Sequence, residues 1–135
     1  MRRRYMLDTD ICIYLAKDLY PQVTARFERL KPDQPVMSAI TYGELQFGAN
    51  KSSQRSRTLS QLAELIQYIP VESVTSSVGQ TYGEIRATLE TQGRTIGNND
   101  LWIAAHAMAI NVTLATNNDR EFLRVTGLSV ENWTK

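Results

Sequence analysis

Apolar residues recur along the chain at two kinds of spacing, which together predict short strands alternating with helices. Met6 and Leu7, extended back to Arg4, form a short apolar run of the kind found in buried strands. The first predicted helices instead carry apolar residues three and four positions apart, which lie on one helical face. These residues are Ile11, Tyr14 and Leu15 in one helix; Val23, Phe27 and Leu30 in a second, which Pro21 opens; and Leu59, Leu62, Leu65, Ile66 and Ile69 in a later helix that ends at Pro70.

The rest of the chain continues this alternation. Further short strands are predicted at Val36–Met37, around Val71, at Val112–Thr116 and at Leu128–Val130. The further predicted helices are one that starts at Ser38 or Thr41 and reaches about Phe47; one that carries Val78, Tyr82, Ile85 and Leu89 and ends at Gly93; and Leu101–Ile110, which is apolar on almost every side. A helix of that last kind is typically buried at the centre of a domain.

Strands that alternate with helices indicate an α/β fold, in which helices cover both faces of a mostly parallel sheet. The alternative is an all-helical bundle, since every predicted strand is short. The α/β fold is favoured because the apolar runs that precede Asp8 and Asp119 fit poorly into helices. A chain of 135 residues has the length of one domain, so we expect a single domain over residues 1–135.

Composition places the chain among ordinary globular proteins, with 42% hydrophobic and 21% charged residues. No apolar run reaches the ~18 residues of a membrane-spanning helix, and the basic start of the chain lacks the apolar stretch of a signal peptide. The single cysteine, Cys12, fits a reducing compartment. We therefore expect a cytoplasmic location and no membrane contact. The formal charge of +1 neither supports nor excludes a nucleic-acid substrate.

Three carboxylates lie where a predicted strand or helix begins or ends. Asp8 follows the first strand, and ligands of parallel α/β sheets bind beyond the carboxyl ends of the strands. Asp100 opens the apolar central helix, where a desolvated carboxylate needs a compensating cation. Glu44 either forms a capping box with Thr41 or, if its helix starts at Ser38, can face a site. For Asp8, too, a purely structural role as a helix cap is open.

A fourth polar group follows the strand predicted at Val112–Thr116, and a polar turn that caps a short helix is its structural alternative. Its candidate catalytic residues are Asp119 and Glu121, and its candidate substrate-binding residues are Thr116, Asn117 and Asn118. Carboxylates without histidine or cysteine select hard cations such as Mg²⁺ or Mn²⁺, which bridge phosphate oxygens and activate water. If the four groups converge, the sequence predicts hydrolysis of phosphodiester bonds.

Other kinds of site have less support. His106 is the single histidine and Cys12 the single cysteine, which excludes a zinc site of the usual type, and both lie in apolar stretches that predict core packing. Lys51, Arg55 and Arg57 form either a solvated helix face or a surface that binds a nucleic-acid backbone. The basic residues that we expect to bind the substrate are Lys51, Arg55, Arg86 and Arg94. A local basic face would hold RNA beside an acidic site despite the small net charge.

Five segments, in order along the chain, resemble the motifs of VapC-type PIN domains. They are Met6–Tyr14, Ser38–Leu45, Gly93–Ala107, Thr116–Phe122 and Val130–Trp133. The resemblance covers essentially the whole chain. It implies a three-layer α/β/α fold and an endoribonuclease that depends on Mg²⁺, with Mn²⁺ as a substitute metal. It also implies a homodimer and a cognate VapB-type antitoxin that blocks the site.

The resemblance also assigns roles to individual residues. Asp8, Glu44 and Asp100 match the acids that form the metal site of the family, and Thr9, next to the first of them, is a candidate for substrate binding. The resemblance therefore implies a metal site whose ligands come from three distant parts of the chain.

The fourth acidic position and the substrate stay open at this point. PIN domains often carry an Asp at the position of Asn118, whereas VapC relatives with the sequence Thr-Asn-Asn usually keep the acid that matches Glu121, and Asp119 lies between these two positions. Some family members cut transfer RNA, so we expect tRNA rather than messenger RNA as the substrate. The alternatives are a non-catalytic PIN-like domain that only binds its partners, and a nuclease that acts on DNA.

Overall fold

A computed structural model describes residues 3–135, and within this range the chain forms five strands and seven helices. Met1 and Arg2, part of the predicted domain, lie outside the described residues. The strands are β1 (Tyr5–Leu7), β2 (Pro35–Ser38), β3 (Val71–Glu72), β4 (Thr113–Thr116) and β5 (Val130–Asn132). The helices are α1 (Thr9–Lys17), α2 (Pro21–Glu28), α3 (Ala39–Lys51), α4 (Arg55–Tyr68), α5 (Ser76–Thr91), α6 (Asn98–Ala109) and α7 (Asp119–Phe122).

The strands form one sheet in the order β3-β2-β1-β4-β5, and all neighbouring pairs are parallel. The predicted α/β fold is thus confirmed and the all-helical alternative is wrong. The chain leaves β1 toward β2 and β3 on one side and returns to β4 and β5 on the other. The strand order therefore reverses between β1 and β4, and open α/β sheets bind ligands at such a crevice.

Helices cover both faces of the sheet, as the three-layer architecture requires. Side chains of successive strand residues point to opposite faces, and Met6 and Leu7 accordingly belong to two separate apolar clusters. Met6 packs with residues of α5, α6 and α7, whereas Leu7 packs with residues of α1, α2, α3 and α4. Both side chains are fully buried, and each such burial stabilises the fold by roughly 1.5–3 kcal/mol.

The structure resolves how α3 begins. The Ser38 hydroxyl accepts a 3.1 Å hydrogen bond from the Ile40 amide, so Ser38 is the N-cap. The capping box between Thr41 and Glu44 does not form, because both residues lie inside the helix. Glu44 is therefore free of a capping role. The helix also continues to Lys51, about one turn beyond its predicted end near Phe47.

The last predicted strand, Leu128–Val130, is wrong by two residues, since β5 spans Val130–Asn132. Gly127 adopts a left-handed conformation (φ 89°), and the Leu128 amide donates to the Val125 carbonyl, so the chain is still turning there. Pairing with β4 starts only where Val130 lies opposite Leu114.

Two other predicted boundaries also shift. The strand predicted from Val112 starts at Thr113, because the Val112 amide closes the end of α6 by bonding to the Ala107 carbonyl. Leu30, predicted inside the second helix, lies just beyond α2 but still packs in the core. No helix within residues 3–135 has the length and apolar character needed to cross a membrane.

Candidate metal-binding active site

Asp8 lies at the reversal of strand order and is buried, with 6% of its surface exposed. Its Oδ1 accepts a 2.7 Å hydrogen bond from the Thr9 amide at the start of α1, so it is the N-cap of that helix. Its Oδ2 accepts a 2.8 Å hydrogen bond from the Thr116 hydroxyl at the end of β4. The capping role and a role in a site are therefore compatible in this residue.

The environment of Asp8 opposes its ionisation. Burial raises the pKa of its carboxyl to about 6, and the negative charges of Asp10 and Glu44 raise it further, whereas the hydrogen bonds from Thr116 and Thr9 act in the opposite direction. The ionised form of a carboxyl group in such a place is favoured when a cation lies beside it.

Glu44 points from α3 toward the same region and connects three helices. The Thr9 hydroxyl donates a 2.6 Å hydrogen bond to its Oε1, and the Thr41 hydroxyl lies 3.2 Å from the Thr9 hydroxyl. The Asn99 side-chain amide, in the first turn of α6, donates to its Oε2 over 3.3 Å. Glu44 therefore lies where the amino-terminal turns of α1 and α6 meet α3.

Asp100 reaches the region of Asp8 and Glu44 from α6. It is the third residue of this helix and is half-buried, and its carboxyl lies within hydrogen-bonding distance of Glu121. Burial raises the pKa of Asp100 to about 7, as do the contact with Glu121 and the negative charges of Glu121, Asp8 and Glu44. Asp8, Glu44, Asp100 and Glu121 therefore act on one another as neighbours; we call them the carboxylate cluster.

Glu121 supplies the fourth carboxylate, and its neighbours hold it in place. Its Oε1 accepts a 3.1 Å hydrogen bond from the Gly97 amide, and its Oε2 accepts a 2.7 Å hydrogen bond from the Asn118 side chain. Asp119 turns away: it accepts hydrogen bonds from Asn132 and Lys135, which lower the pKa of its carboxyl. The structure thus brings Glu121 to the cluster and places Asn118 as its support.

The remaining polar candidates of this region fall into two groups. Thr9 and Thr116 contact carboxylates of the cluster directly. The Asn117 side chain instead donates to the Tyr14 hydroxyl over 3.0 Å, away from the four carboxylates. Asn117 is thus placed to support α1 rather than to face the cluster.

Two residues of the site were not singled out by sequence reasoning. Asn99 contacts Glu44, and Gly97 contributes its amide to Glu121. A Cβ at Gly97 would lie 3.7 Å from Asp100 Oδ2 and 3.9 Å from Glu121 Oε1, so glycine leaves open the space beside these two oxygens. The available signal was the polar run Gly97-Asn98-Asn99, which places two amide side chains directly before a candidate acid, Asp100.

The candidate basic residues are exposed and lie apart along the chain. The Lys51 ammonium lies 5.3 Å from the centre of the Phe47 ring, and Arg55 donates to the Asn50 side chain. Arg86, on α5, forms an ion pair with Glu90, and the side chain of Arg94, just after α5, is exposed. No hydrogen bond or ion pair within residues 3–135 connects these four side chains to the carboxylate cluster.

His106 and Cys12 are fully buried, as predicted. A nitrogen of the His106 ring (Nδ1) lies 2.8 Å from the Ser38 hydroxyl, and the Cys12 thiol contacts the Leu7 carbonyl. Both residues are therefore part of the packing on either face of the sheet.

The carboxylate cluster fits a hard divalent cation by the chemistry of its donors. It offers only oxygen ligands, and the charged groups that act most on Asp8 and Asp100 are other carboxylates. As they stand, no three acidic, histidine or cysteine side chains of residues 3–135 are grouped tightly enough to hold a metal ion. Like charges that repel are expected to move together only when a cation lies between them.

Thr116→Val is expected to destabilise the metal-free protein. It removes a buried hydroxyl that donates to Asp8 and accepts from the Asn118 amide, so two polar groups lose their partner. We expect the free energy of unfolding in urea to fall by roughly 1–3 kcal/mol. Thr116→Ser keeps the hydroxyl and should recover most of this loss. Equal stability of Thr116→Val and wild type would show that the link across β1 and β4 contributes nothing.

Comparison with known proteins agrees with this fold: a family model for the PIN domain matches residues 5–128, and the chain belongs to the PIN-domain family. It is 43% identical over 132 residues to ribonuclease VapC1 of Haemophilus influenzae (strain R2866), covering 97% of this chain and 98% of that protein. It is 38% identical over 131 residues to the tRNA(fMet)-specific endonuclease VapC of Shigella flexneri, with coverages of 97% and 98%. The structure matches VapBC-1 from nontypeable Haemophilus influenzae with a TM-score of 0.89 and 42% identity, over 97% of this chain and 98% of that one. The resemblance to VapC-type PIN domains is thereby confirmed.

Proposed function

We propose that the chain is the endoribonuclease toxin of a toxin–antitoxin pair, which hydrolyses RNA phosphodiester bonds at a Mg²⁺ site. The observation that carries the proposal is the convergence of Asp8, Glu44, Asp100 and Glu121 where the strand order reverses. The sequence relatives described above are ribonucleases and endonucleases by name, and together they match nearly the full length of the chain.

Each carboxylate has a distinct proposed role. Asp8 and Asp100 hold the metal most directly, since Asp8 follows β1 at the reversal of strand order and Asp100 enters the cluster from the first turn of α6. Glu44, held by Thr9 and Asn99, completes the site directly or through water. Glu121 orients Asp100 through their contact. Mg²⁺ bound here would lower the pKa of a water molecule and neutralise charge on the phosphate, with Mn²⁺ as a substitute.

Thr9, Thr116 and Asn118 are proposed to act as support. Their side chains donate hydrogen bonds to Glu44, Asp8 and Glu121 respectively, so these carboxylates are held in place before the substrate binds. Asp119 and Asn117 are assigned no part in the chemistry because their side chains bond elsewhere.

A cleavage assay with RNA and DNA side by side tests the proposed function. We expect cleavage of RNA in Mg²⁺, none in excess chelator, and transfer RNA to be cut in preference to messenger RNA, as the name of the Shigella flexneri relative suggests. Equal activity with chelator would contradict the metal site. Cleavage of DNA alone would favour a DNA nuclease, and inactivity on both nucleic acids would favour a non-catalytic binding domain.

Neutralising the basic candidates is expected to weaken RNA binding without affecting metal binding. In the variant with Lys51, Arg55, Arg86 and Arg94 all changed to Gln, RNA affinity should fall by about a hundredfold at about 0.1 M salt. The slope of log affinity against log salt should flatten by about 2, because three lost phosphate contacts each remove roughly 0.7. Arg86 should contribute least, since Glu90 already neutralises it.

A matched control separates this effect from a change in net charge. Arg29 and Lys31 are exposed and lie before the amino end of β2, at the opposite end of the strands from Asp8. Changing these two to Gln should leave the salt slope unchanged. An unchanged slope in the four-residue variant as well would rule out these residues as the RNA-binding face.

We further propose a homodimer and a VapB-type antitoxin that places an Arg or Lys beside the carboxylate cluster. The matched solved structure is described as a VapBC assembly, and a guanidinium or ammonium group would satisfy the same four carboxylates as a metal. Light scattering at micromolar concentration checks the dimer. A single monomeric species would contradict it.

A further inference from the structure

A cavity of about 250 Å³ opens beside the first turn of α6. Its apolar floor consists of Leu89, Ile96 and Leu101, which are buried or half-buried, and exposed side chains of α5 and the following loop line its rim. Asn98 also lines it and lies three residues before Leu101, so both share one face of α6. Asp100 lies on a different face, so the cavity and the carboxylate cluster flank the same helical turn.

The rim of the cavity is held in place before any ligand binds. Arg86 donates 2.9 Å hydrogen bonds to Glu90 and to the Tyr82 hydroxyl, and that hydroxyl donates a 2.5 Å hydrogen bond to Asn98. The Tyr82 ring stacks on Trp102, with centroids 3.7 Å apart and planes at 10°. These bonds use two of the five N–H donors of an arginine, and a side chain already ordered loses little entropy when a ligand binds.

We infer that this cavity is a subsite for one unpaired RNA base next to the scissile phosphate. The inference rests on the proposed function, because it uses the carboxylate cluster as the place of cleavage. Unpaired bases are recognised by packing of their faces and by hydrogen bonds to their edges. The apolar floor offers a surface for the face, while Arg86, Glu90 and Thr95 offer donors and acceptors to the edge.

The charge of the rim favours a base over a phosphate group. Arg86 and Glu90 form an ion pair, so the rim carries no net positive charge from these two residues. A phosphate placed there would meet the Glu90 carboxylate at short range, whereas a neutral base with both donors and acceptors meets no such repulsion. Asn98 connects the cavity to the turn that carries Asp100, so a base held here lies close to the phosphate that is cleaved.

Filling the cavity tests the inference. Thr95 is exposed on the rim, and Thr95→Trp places an indole in the space proposed for the base. We expect a short single-stranded RNA, measured by fluorescence anisotropy in excess chelator, to bind about tenfold more weakly, with melting temperature and mass unchanged. Gln67→Trp is the matched control: Gln67 is also exposed, on a separate cavity of about 260 Å³, and this variant should bind as wild type does.

Removing bases from the RNA locates the contact. In a series of oligonucleotides that each lack one base, binding to wild type should weaken about tenfold at one position, and this loss should vanish in Thr95→Trp. A series with no sensitive position, or a loss that persists in Thr95→Trp, would overturn the subsite. A reduced mass of Thr95→Trp would do the same, because the cavity would then belong to a contact between subunits. Thr95→Phe, with a smaller ring, repeats the test if the indole lowers the melting temperature.

The subsite and the proposed function can be contradicted separately. Binding is measured in chelator and needs no cleavage, so a wild-type protein that cuts no RNA but shows the sensitive position would retain the subsite and lose the proposed function. Cleavage of RNA without a sensitive position would retain the proposed function and lose the subsite.

Discussion

Asp8→Asn is expected to lower RNA cleavage by at least about a hundredfold while leaving the fold intact. The substitution removes the charge that a metal ion needs but keeps an oxygen that accepts a hydrogen bond from the Thr9 amide at the start of α1. Asparagine is as good an N-cap as aspartate, so α1 should start as before. Activity in Mg²⁺ and the melting temperature of the same sample measure the two effects.

The neighbouring acid provides the control for this substitution. Asp10 lies two residues later in the same helix and is exposed, so Asp10→Asn removes the same charge without removing a proposed ligand. We expect it to retain activity within a few-fold of wild type. Undiminished cleavage by Asp8→Asn, or an equal loss in both variants, would remove Asp8 from the proposed metal site.

Asp100→Asn is expected to stabilise the metal-free protein, and to do so increasingly from pH 4 to pH 8. The unfolded chain ionises Asp100 near its ordinary pKa of 3.8, whereas in the folded chain the pKa is about 7. Between these values the unfolded state has released the proton and the folded state still holds it. Raising the pH through this window therefore favours unfolding of the wild type, and the cost is complete above about pH 7.

The size of this stabilisation follows from the pKa shift of Asp100 and from the exposure of its carboxyl group. Allowing for solvent screening of a half-exposed carboxyl, we expect a gain of about 1–2 kcal/mol at pH 8, which exceeds the ~0.5 kcal/mol lost when a negative charge leaves the first turn of a helix. The measurement is the difference in melting temperature between variant and wild type across pH. His106, whose pKa burial lowers, titrates in both proteins and cancels in this difference.

Adding Mg²⁺ should reverse the order of stability. An ion that binds only the folded state stabilises wild type in proportion to its affinity, and Asp100→Asn should gain less. If metal-free Asp100→Asn melted well below wild type at pH 8, the residue would act mainly as a structural group at the start of α6.

The positions of three site residues could be predicted from sequence because local patterns determine them. Asp8 directly follows an apolar strand, and parallel strands place their carboxyl ends along one edge of the sheet. Asp100 directly precedes the run Leu101–Ile110, which is apolar on almost every side and is therefore expected at the centre of the domain. The orientation of Glu44 depended on which residue is the N-cap of α3. Only the hydrogen bond that the Ile40 amide donates to the Ser38 hydroxyl decides this.

The fourth position could not be predicted, because it depends on contacts with distant residues. Asp119 and Glu121 belong to the same one-turn helix and are equivalent by composition. Asn132 and Lys135 engage Asp119, whereas the Gly97 amide engages Glu121, and these partners lie 13 to 24 residues away in sequence. β5 was misplaced for a similar reason, since its pairing with β4 rather than its own pattern determines where it begins.

The link between Asp8 and Thr116 joins residues 108 positions apart. β1 is made early in synthesis, but its second neighbour in the sheet, β4, begins only at Thr113. A nascent chain that has not emerged beyond this point holds Asp8, Glu44 and Asp100 but lacks both Thr116 and Glu121. Pairing of strands so far apart closes a long loop and is a late step in folding. The four acids of the carboxylate cluster can therefore come together only after the chain has been synthesised beyond Glu121 and β4 has paired with β1.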